Sequence, residues 1–269
     1  MKIDAEVHFW KYERNLSNPF IRNNKILQQN YLPEQITQSL HRNGIGACLA
    51  VVTENAEVET RFLSELALTH PEVRGVIGWI DLYDPKAVEK IHEFQQYAPI
   101  RGYQIEMTKI KLPPKEVMEE LQASQLTLDI SSNAGSGSSN INTSLADYPD
   151  QQFVLQDCGN PDAKQPPSAT WKTTIRELAK HQNLSCKVSG LFIHSNWRSW
   201  KPADFYPFLE ILSEAFGPER LLYASDWPFM LLAGIYVQWK SLLEKFTENW
   251  SPENREKFFG QNAQRIYRL

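Results

Sequence analysis

The sequence predicts a (β/α)8 TIM barrel, an α/β fold in which eight parallel strands close into a cylinder ringed by helices. Three observations point there. Eight short apolar, β-rich runs recur along the chain; the segments between them carry the spacing of amphipathic helices; and 269 residues suit one large α/β domain. A doubly wound sheet more often has fewer strands, so the count favours a closed barrel, read as a single domain over residues 1–269.

The first run is IDAEVHF (3–9). Glu6 and His8 stand two apart in it and share a face under the strand period of 2. ACLAVV (47–52) and GVIGWIDL (75–82) follow, with the helix-spaced VETRFLSELALTH (58–70) between them. RGYQIEM (101–107) and LTLDIS (126–131) supply the fourth and fifth strands. Residues 131–149 then carry Gly and Ser where a crossover helix needs apolar side chains, so a loop is expected, with at most a short helix near 142–147. QFVLQDC (152–158), LSCKVSG (184–190) and LLYASDW (221–227) complete the strands. TWKTTIRELAKH (170–181), FYPFLEILSEAF (205–216) and IYVQWKSLLEKF (235–246) are the helices that alternate with them.

Composition narrows the function. A formal net charge of -4 with scattered charges gives no basic surface for nucleic acid. Cys48, Cys158 and Cys186 lie in apolar runs, the habit of reduced, buried thiols. There is no signal-peptide pattern and no apolar stretch long enough to span a bilayer, so a cytoplasmic protein with a small-molecule partner and no membrane contact is expected.

Barrel enzymes take their functional side chains from the C-terminal ends of the strands. The polar residues there are Glu6, His8, Gln104, Glu106, Asp129, Gln156, Asp157, Lys187, His194 and Asp226. Of six histidines, His41, His70, His92 and His181 fall in or beside outer helices, which leaves His8 and His194 for the mouth and excludes a multi-histidine zinc site. Asp226 ends an apolar strand directly before a Trp-Pro turn, a placement suited to a base that activates water. Trp10, Trp197, Trp200 and Trp227 follow strands one, seven and eight, where flat aromatic faces can wall a sugar ring. Trp79 and Trp239 read as packing residues.

IDAEVHFW, YLPEQ (31–35), GVIGWIDL, FVLQDCGNP, LSCKVSGL, FGPERLLYASDWP and GQNAQRIYRL resemble, in this order, the amidohydrolase-related family (amidohydrolase 2), and within it the sugar-lactone hydrolases. The resemblance runs from about residue 3 to the C-terminus and implies a distorted barrel that hydrolyses a ring ester at its mouth, with a divalent metal in some members. The family's first strand usually ends in His-x-His, its fourth in Arg-His, its sixth in Asp-His and its eighth in Ser-Asp-Trp-Pro. Carried over by position, this chain keeps His8 and Asp226, while Glu6 stands for the first histidine, Gln104 and Ile105 for the Arg-His pair, and Gln156 and Asp157 for the Asp-His pair.

Glu-x-His also resembles the first-strand motif of some decarboxylases of the same superfamily, where both residues bind a divalent metal. On that resemblance Glu6, His8 and Asp226 are candidate ligands for Zn²⁺ or Mn²⁺, and no organic cofactor is expected. The alternative is that Glu6 pairs with Lys187, filling the metal's place. The reading taken forward is hydrolysis of a small lactone or similar cyclic ester, with Asp226 and His8 catalytic and Trp10, Gln104, Gln156, Asp157, Lys187, His194 and Trp227 binding substrate. Decarboxylation of a small aromatic acid and a ligand-binding barrel without turnover are the alternatives.

Overall fold

The computed structural model describes residues 1–13, 18–97, 99–106, 112–136 and 139–269. Met107, expected to end the fourth strand, and residues 137–138 of the Gly/Ser stretch lie outside the described residues. The strands are β1 (Ile3–Val7), β2 (Ala47–Val51), β3 (Val73–Gly78), β4 (Ile100–Glu106), β5 (Thr127–Ser131), β6 (Phe153–Leu155), β7 (Leu184–Val188) and β8 (Leu221–Tyr223). They are parallel and lie side by side in chain order. Just beyond the strand ends, His8 N–H donates to Trp227 O at 2.7 Å and Asp226 N–H to Glu6 O at 3.1 Å, closing β1 against the chain that follows β8. This is the (β/α)8 barrel that the sequence predicts.

The crossover helices are α1 (Pro33–Arg42), α2 (Glu57–Thr69), α3 (Ala87–Tyr97), α4 (Lys115–Ala123), α5 (Ser139–Asp147), α6 (Ala169–Leu178) and α7 (Pro202–Phe216). Helix α8 (Tyr236–Phe246) follows β8, and the short α9 (Asn262–Tyr267) ends the fold. The expectation for residues 131–149 needs correction: α5 is a nine-residue helix that starts before 142. Ile141 and Leu145, four apart, are both buried and give it the apolar stripe that the Gly and Ser content hides.

Alternation sorts the strands. Cys48, Tyr103, Leu128, Cys186 and Tyr223 face the helices, and Leu49, Ile77, Val154 and Leu222 fill the barrel. Ile266 and Tyr267 of α9 join the interior cluster. The three cysteines are free and buried. Among the described residues no helix is long and apolar enough to cross a membrane.

Several strands are shorter than the apolar runs that announced them, because the chain leaves the ladder where polar residues begin. Asp157, Cys158, Gly159 and Asn160 all take positive φ (49°, 53°, 71° and 50°), and Asp226 does so at 58°. Three of the first four carry a Cβ that disfavours this region, which places local backbone strain at the mouth.

Strand β1 carries a second irregularity. Its register against β2 shifts between Asp4 and Val7, so three steps on β1 oppose two on β2. The extra residue is a β-bulge, and it breaks strict alternation: Ile3 and Ala5 face the interior, yet Val7 packs outside. Glu6 and His8 are thereby turned inward together.

Candidate active site

Each mouth residue is held by an element end. His8 Nδ1 lies 2.8 Å from Val51 O at the end of β2 and donates there, which leaves Nε2 to face Asp226 Oδ1 at 3.3 Å. The edge of Phe229, with ring centroids 5.2 Å apart, limits rotation of the imidazole. Asp226 is fixed by its own backbone, with N–H on Glu6 O and C=O accepting Met230 N–H at 3.0 Å.

Glu6 and Asp157 meet across one hydroxyl. Ser189 Oγ lies 2.5 Å from Glu6 Oε2 and 3.0 Å from Asp157 Oδ1. Gly190, at φ +72°, allows this approach, because a Cβ there would sit 2.6 Å from Asp157 Cβ. Burial, then the charges of Glu6 and Asp226, push the Asp157 carboxyl well above the usual carboxylate range. Burial, then Glu6 and Asp4, do the same to Asp226. Asp157 and Asp226, held this close, disfavour one another's ionisation.

Lys187 lies beneath this cluster and is fully buried. Its Nζ is 2.8 Å from Asp129 Oδ2 and 3.7 Å from Glu6 Oε1, without a well-directed hydrogen bond to either. Burial works against the ammonium, but Asp129 and Glu6 outweigh it and raise its pKa. Thr127 Oγ1 and Tyr267 OH donate to Asp129 at 2.9 and 2.8 Å, so α9 reaches up inside the barrel to complete this layer.

The expected metal donors do not fit a divalent ion in this arrangement. Glu6 spends one oxygen on Ser189 and turns the other toward Lys187, a cation the chain supplies itself. Among the described residues no three His, Cys, Asp or Glu side chains gather as a metal-holding group. The pairing of Glu6 with Lys187, the alternative reading of Glu6, is the contact observed.

Other candidates fall around this centre. Gln156 Nε2 donates to Gln104 Oε1 at 3.0 Å, giving a pair of neutral amides on the β4–β6 side. Glu106 is exposed at the end of β4. His194 joins Asn160, Nε2 to Oδ1 at 3.0 Å, and burial lowers its pKa. Together they line a cavity of about 760 Å³ with Asn133, Lys164, Trp197 and Phe20. Among the described residues, no hydrogen bond or ion pair joins His194 to Asp226 or Glu6.

The tryptophans divide. Trp10 and Trp227 are buried against Tyr31, at 5.1 Å each, as a wall behind His8 rather than as open faces. Trp197 faces the cavity. Trp200 packs on Phe192 at 4.6 Å. Trp239 lies in the core, and Trp79 is half-buried at the edge of the same core cluster.

Sequence reasoning missed Ser189, Asp4, Asn160 and Tyr267. Ser189 stood two residues past Lys187 and so on its strand face, a signal present in LSCKVSG. Nothing local marked Tyr267, whose role depends on α9 entering the barrel from the far end.

Comparison with known proteins agrees with this architecture. The sequence model of the family described as Amidohydrolase matches residues 3–269. An L-fucono-1,5-lactonase of Burkholderia multivorans is 30% identical over all of this chain and 96% of its own. A crystal structure of an amidohydrolase from Burkholderia multivorans with bound zinc superposes with a TM-score of 0.89 at 29% identity, covering 100% of this chain and 99% of that one. A dihydroxybenzoic acid decarboxylase from Polaromonas sp. JS666 with bound manganese shares the fold alone, with a TM-score of 0.65 at 15% identity over 100% of this chain and 97% of its own.

Proposed function

The chain belongs to the amidohydrolase family over residues 3–269, and from that premise we propose that it hydrolyses a small lactone, a sugar lactone or similar cyclic ester. The observation that carries this reading is the His8 to Asp226 contact of 3.3 Å, with Asp157 near enough for the Asp226 charge to help raise its carboxyl. We take Asp226 as the carboxylate beside the imidazole and Asp157 as the protonated acid, the pair of opposite protonation states that acid and base catalysis needs.

In this mechanism Asp226, held by its backbone bonds to Glu6 and Met230, takes a proton from water beside His8. The water oxygen forms a bond to the lactone carbonyl carbon. The bond from that carbon to the ring oxygen then breaks, and the ring oxygen takes the proton of Asp157. The product is an open-chain hydroxy acid, whose ionisation releases acid to solution. Asp226 returns its proton to Asp157 through water, which resets the site.

The Gln104 to Gln156 pair and the cavity edged by Asn160, His194 and Trp197 receive hydroxyls and the flat face of the ring. Among the described residues, an aromatic carboxylate would instead meet Glu6, Asp157 and Asp226 with Lys187 as the one cation in opposition, which disfavours the decarboxylase alternative. The test is a panel of sugar lactones, L-fucono-1,5-lactone included, followed by acid release, with hydroxylated benzoic acids assayed for carbon dioxide. Lactone turnover supports the reading. Carbon dioxide release without lactone turnover replaces it with the decarboxylase, and neither activity leaves a binding protein.

A further inference from the structure

Strict alternation along β1 would place Asp4 on the face of Glu6 and His8, but the bulge turns it out of the barrel, against α8 and the end of β8. Its carboxylate is fully buried there. Among the described residues no lysine or arginine pairs with it, so the burial of this charge is not explained by an ion pair.

What the carboxylate does hold is the seam where the barrel closes. Asp4 Oδ1 accepts Ser225 N–H at 2.9 Å and Glu6 N–H at 3.2 Å, and Oδ2 accepts Tyr236 OH at 2.8 Å. One of these N–H groups belongs to the residue before Asp226, and the other to the residue two before His8. The rest of the seam is thin: His8 N–H on Trp227 O, Asp226 N–H on Glu6 O, and Ser225 Oγ on Glu6 O at 3.4 Å. One acceptor oxygen of Asp4 thus adds to these three bonds in tying together the two backbone segments that carry the facing side chains.

We propose that Asp4 is the positioning residue of the His8 and Asp226 pair, its carboxylate clamping the β1 bulge to the β8 end in the one register that brings His8 Nε2 to Asp226 Oδ1. An apolar residue would fill this outer-face position but leave Ser225 N–H and Glu6 N–H without acceptors, and the two segments would relax independently. The catalytic consequence rests on the proposed lactonase reading; the positioning itself does not. Displacement of a reacting group by about 1 Å costs on the order of 10² in rate, which sets the scale expected when the clamp is lost.

The test compares Asp4→Ala with Asp4→Asn, whose amide oxygen accepts the same two N–H groups and whose NH2 donates to the Tyr236 hydroxyl. Two readouts are used: hydrolysis of L-fucono-1,5-lactone, and the NMR resonance of the His8 ring, assigned by its loss in His8→Asn. In folded Asp4→Ala, kcat falls by roughly 10–10² with KM little changed. The His8 resonance shifts as the ring moves against Phe229, while that of His41 on α1 stays in place. Asp4→Asn restores both readouts, and in an Asp226→Asn background Asp4→Ala causes little further loss. An unmoved His8 resonance in folded Asp4→Ala, or an equal fold-loss in the Asp226→Asn background, overturns the proposal. Should Asp4→Ala not fold, Tyr236→Phe removes one of the three bonds, with a smaller resonance shift and the same non-additivity expected, and their absence equally decisive. Should the wild type leave the lactone untouched, the function reading fails while the NMR comparison still decides the clamp.

Discussion

Replacing Lys187 by Met removes the buried cation beside Asp129 and Glu6 while keeping a side chain of similar length. Lys187 is fully buried, 2.8 Å from Asp129 Oδ2 and 3.7 Å from Glu6 Oε1. Loss of one partner from a buried pair costs about 3–5 kcal/mol, chiefly because the other charge is left uncompensated. At about 2–4 °C per kcal/mol for a chain near this size, the melting temperature should fall by roughly 6–20 °C. The sign of the pH dependence is a further check. With the ammonium gone, the folded state favours protonated Asp129 and Glu6, so the deficit should narrow as the pH falls from about 8 to 5. Adding Asp129→Asn should recover part of the loss. Urea and thermal unfolding at several pH values measure this. A folded Lys187→Met within about 0.5 kcal/mol of wild type at pH 8, or a deficit that widens on acidification, would refute the reasoning.

Burial raises the Asp4 carboxyl from its ordinary 3.8 to about 6, against bonds from Ser225, Tyr236 and Glu6 N–H that pull it down. Its contribution to stability is therefore full below pH 3.8 and lost as pH rises through about 6, a change of about 3 kcal/mol that Asp4→Asn should remove from the urea-unfolding profile; an unchanged slope would count against it. Trp197→Ala should raise KM for a lactone substrate and leave kcat nearly constant, since it removes a ring-stacking face remote from the reacting atoms; a fall in kcat alone would place Trp197 elsewhere in the mechanism. Because Glu6 faces Lys187, protein purified with zinc or manganese should carry substoichiometric metal by elemental analysis and keep its melting temperature after chelation. A stoichiometric ion whose removal lowers that temperature would contradict the pairing.

The fold was legible because β1 to β8 are mostly buried on both faces and read as apolar runs separated by helix-spaced segments. Their ends were less so. QFVLQDC continues to look like a strand through Cys158, but the backbone turns left-handed at Asp157, under constraints from Trp171 Nε1 on Cys158 O and from Asn160 on Ser132 O that lie far apart in sequence. Glu6 and His8 were found by period, and the period held between them. It failed one step earlier, where a bulge sends Asp4 outward, and no residue type in IDAEV announces that bulge. His194 was grouped with the mouth because it follows β7, yet the loop carries it to Asn160 and the neighbouring cavity. α5 was underestimated because two buried residues, Ile141 and Leu145, suffice to anchor a helix among polar ones.

In the proposed hydrolysis Asp226, facing His8, removes the proton from the attacking water. Asp226→Asn keeps the shape of the side chain and relieves the burial of a charge, and then the repulsion by Glu6 and Asp4, that lift its carboxyl, so the variant should fold and melt no lower than wild type. Measured by acid release on whichever lactone the wild type opens, kcat/KM should drop by ~10²–10⁴. Wild-type turnover in a folded Asp226→Asn would contradict the account.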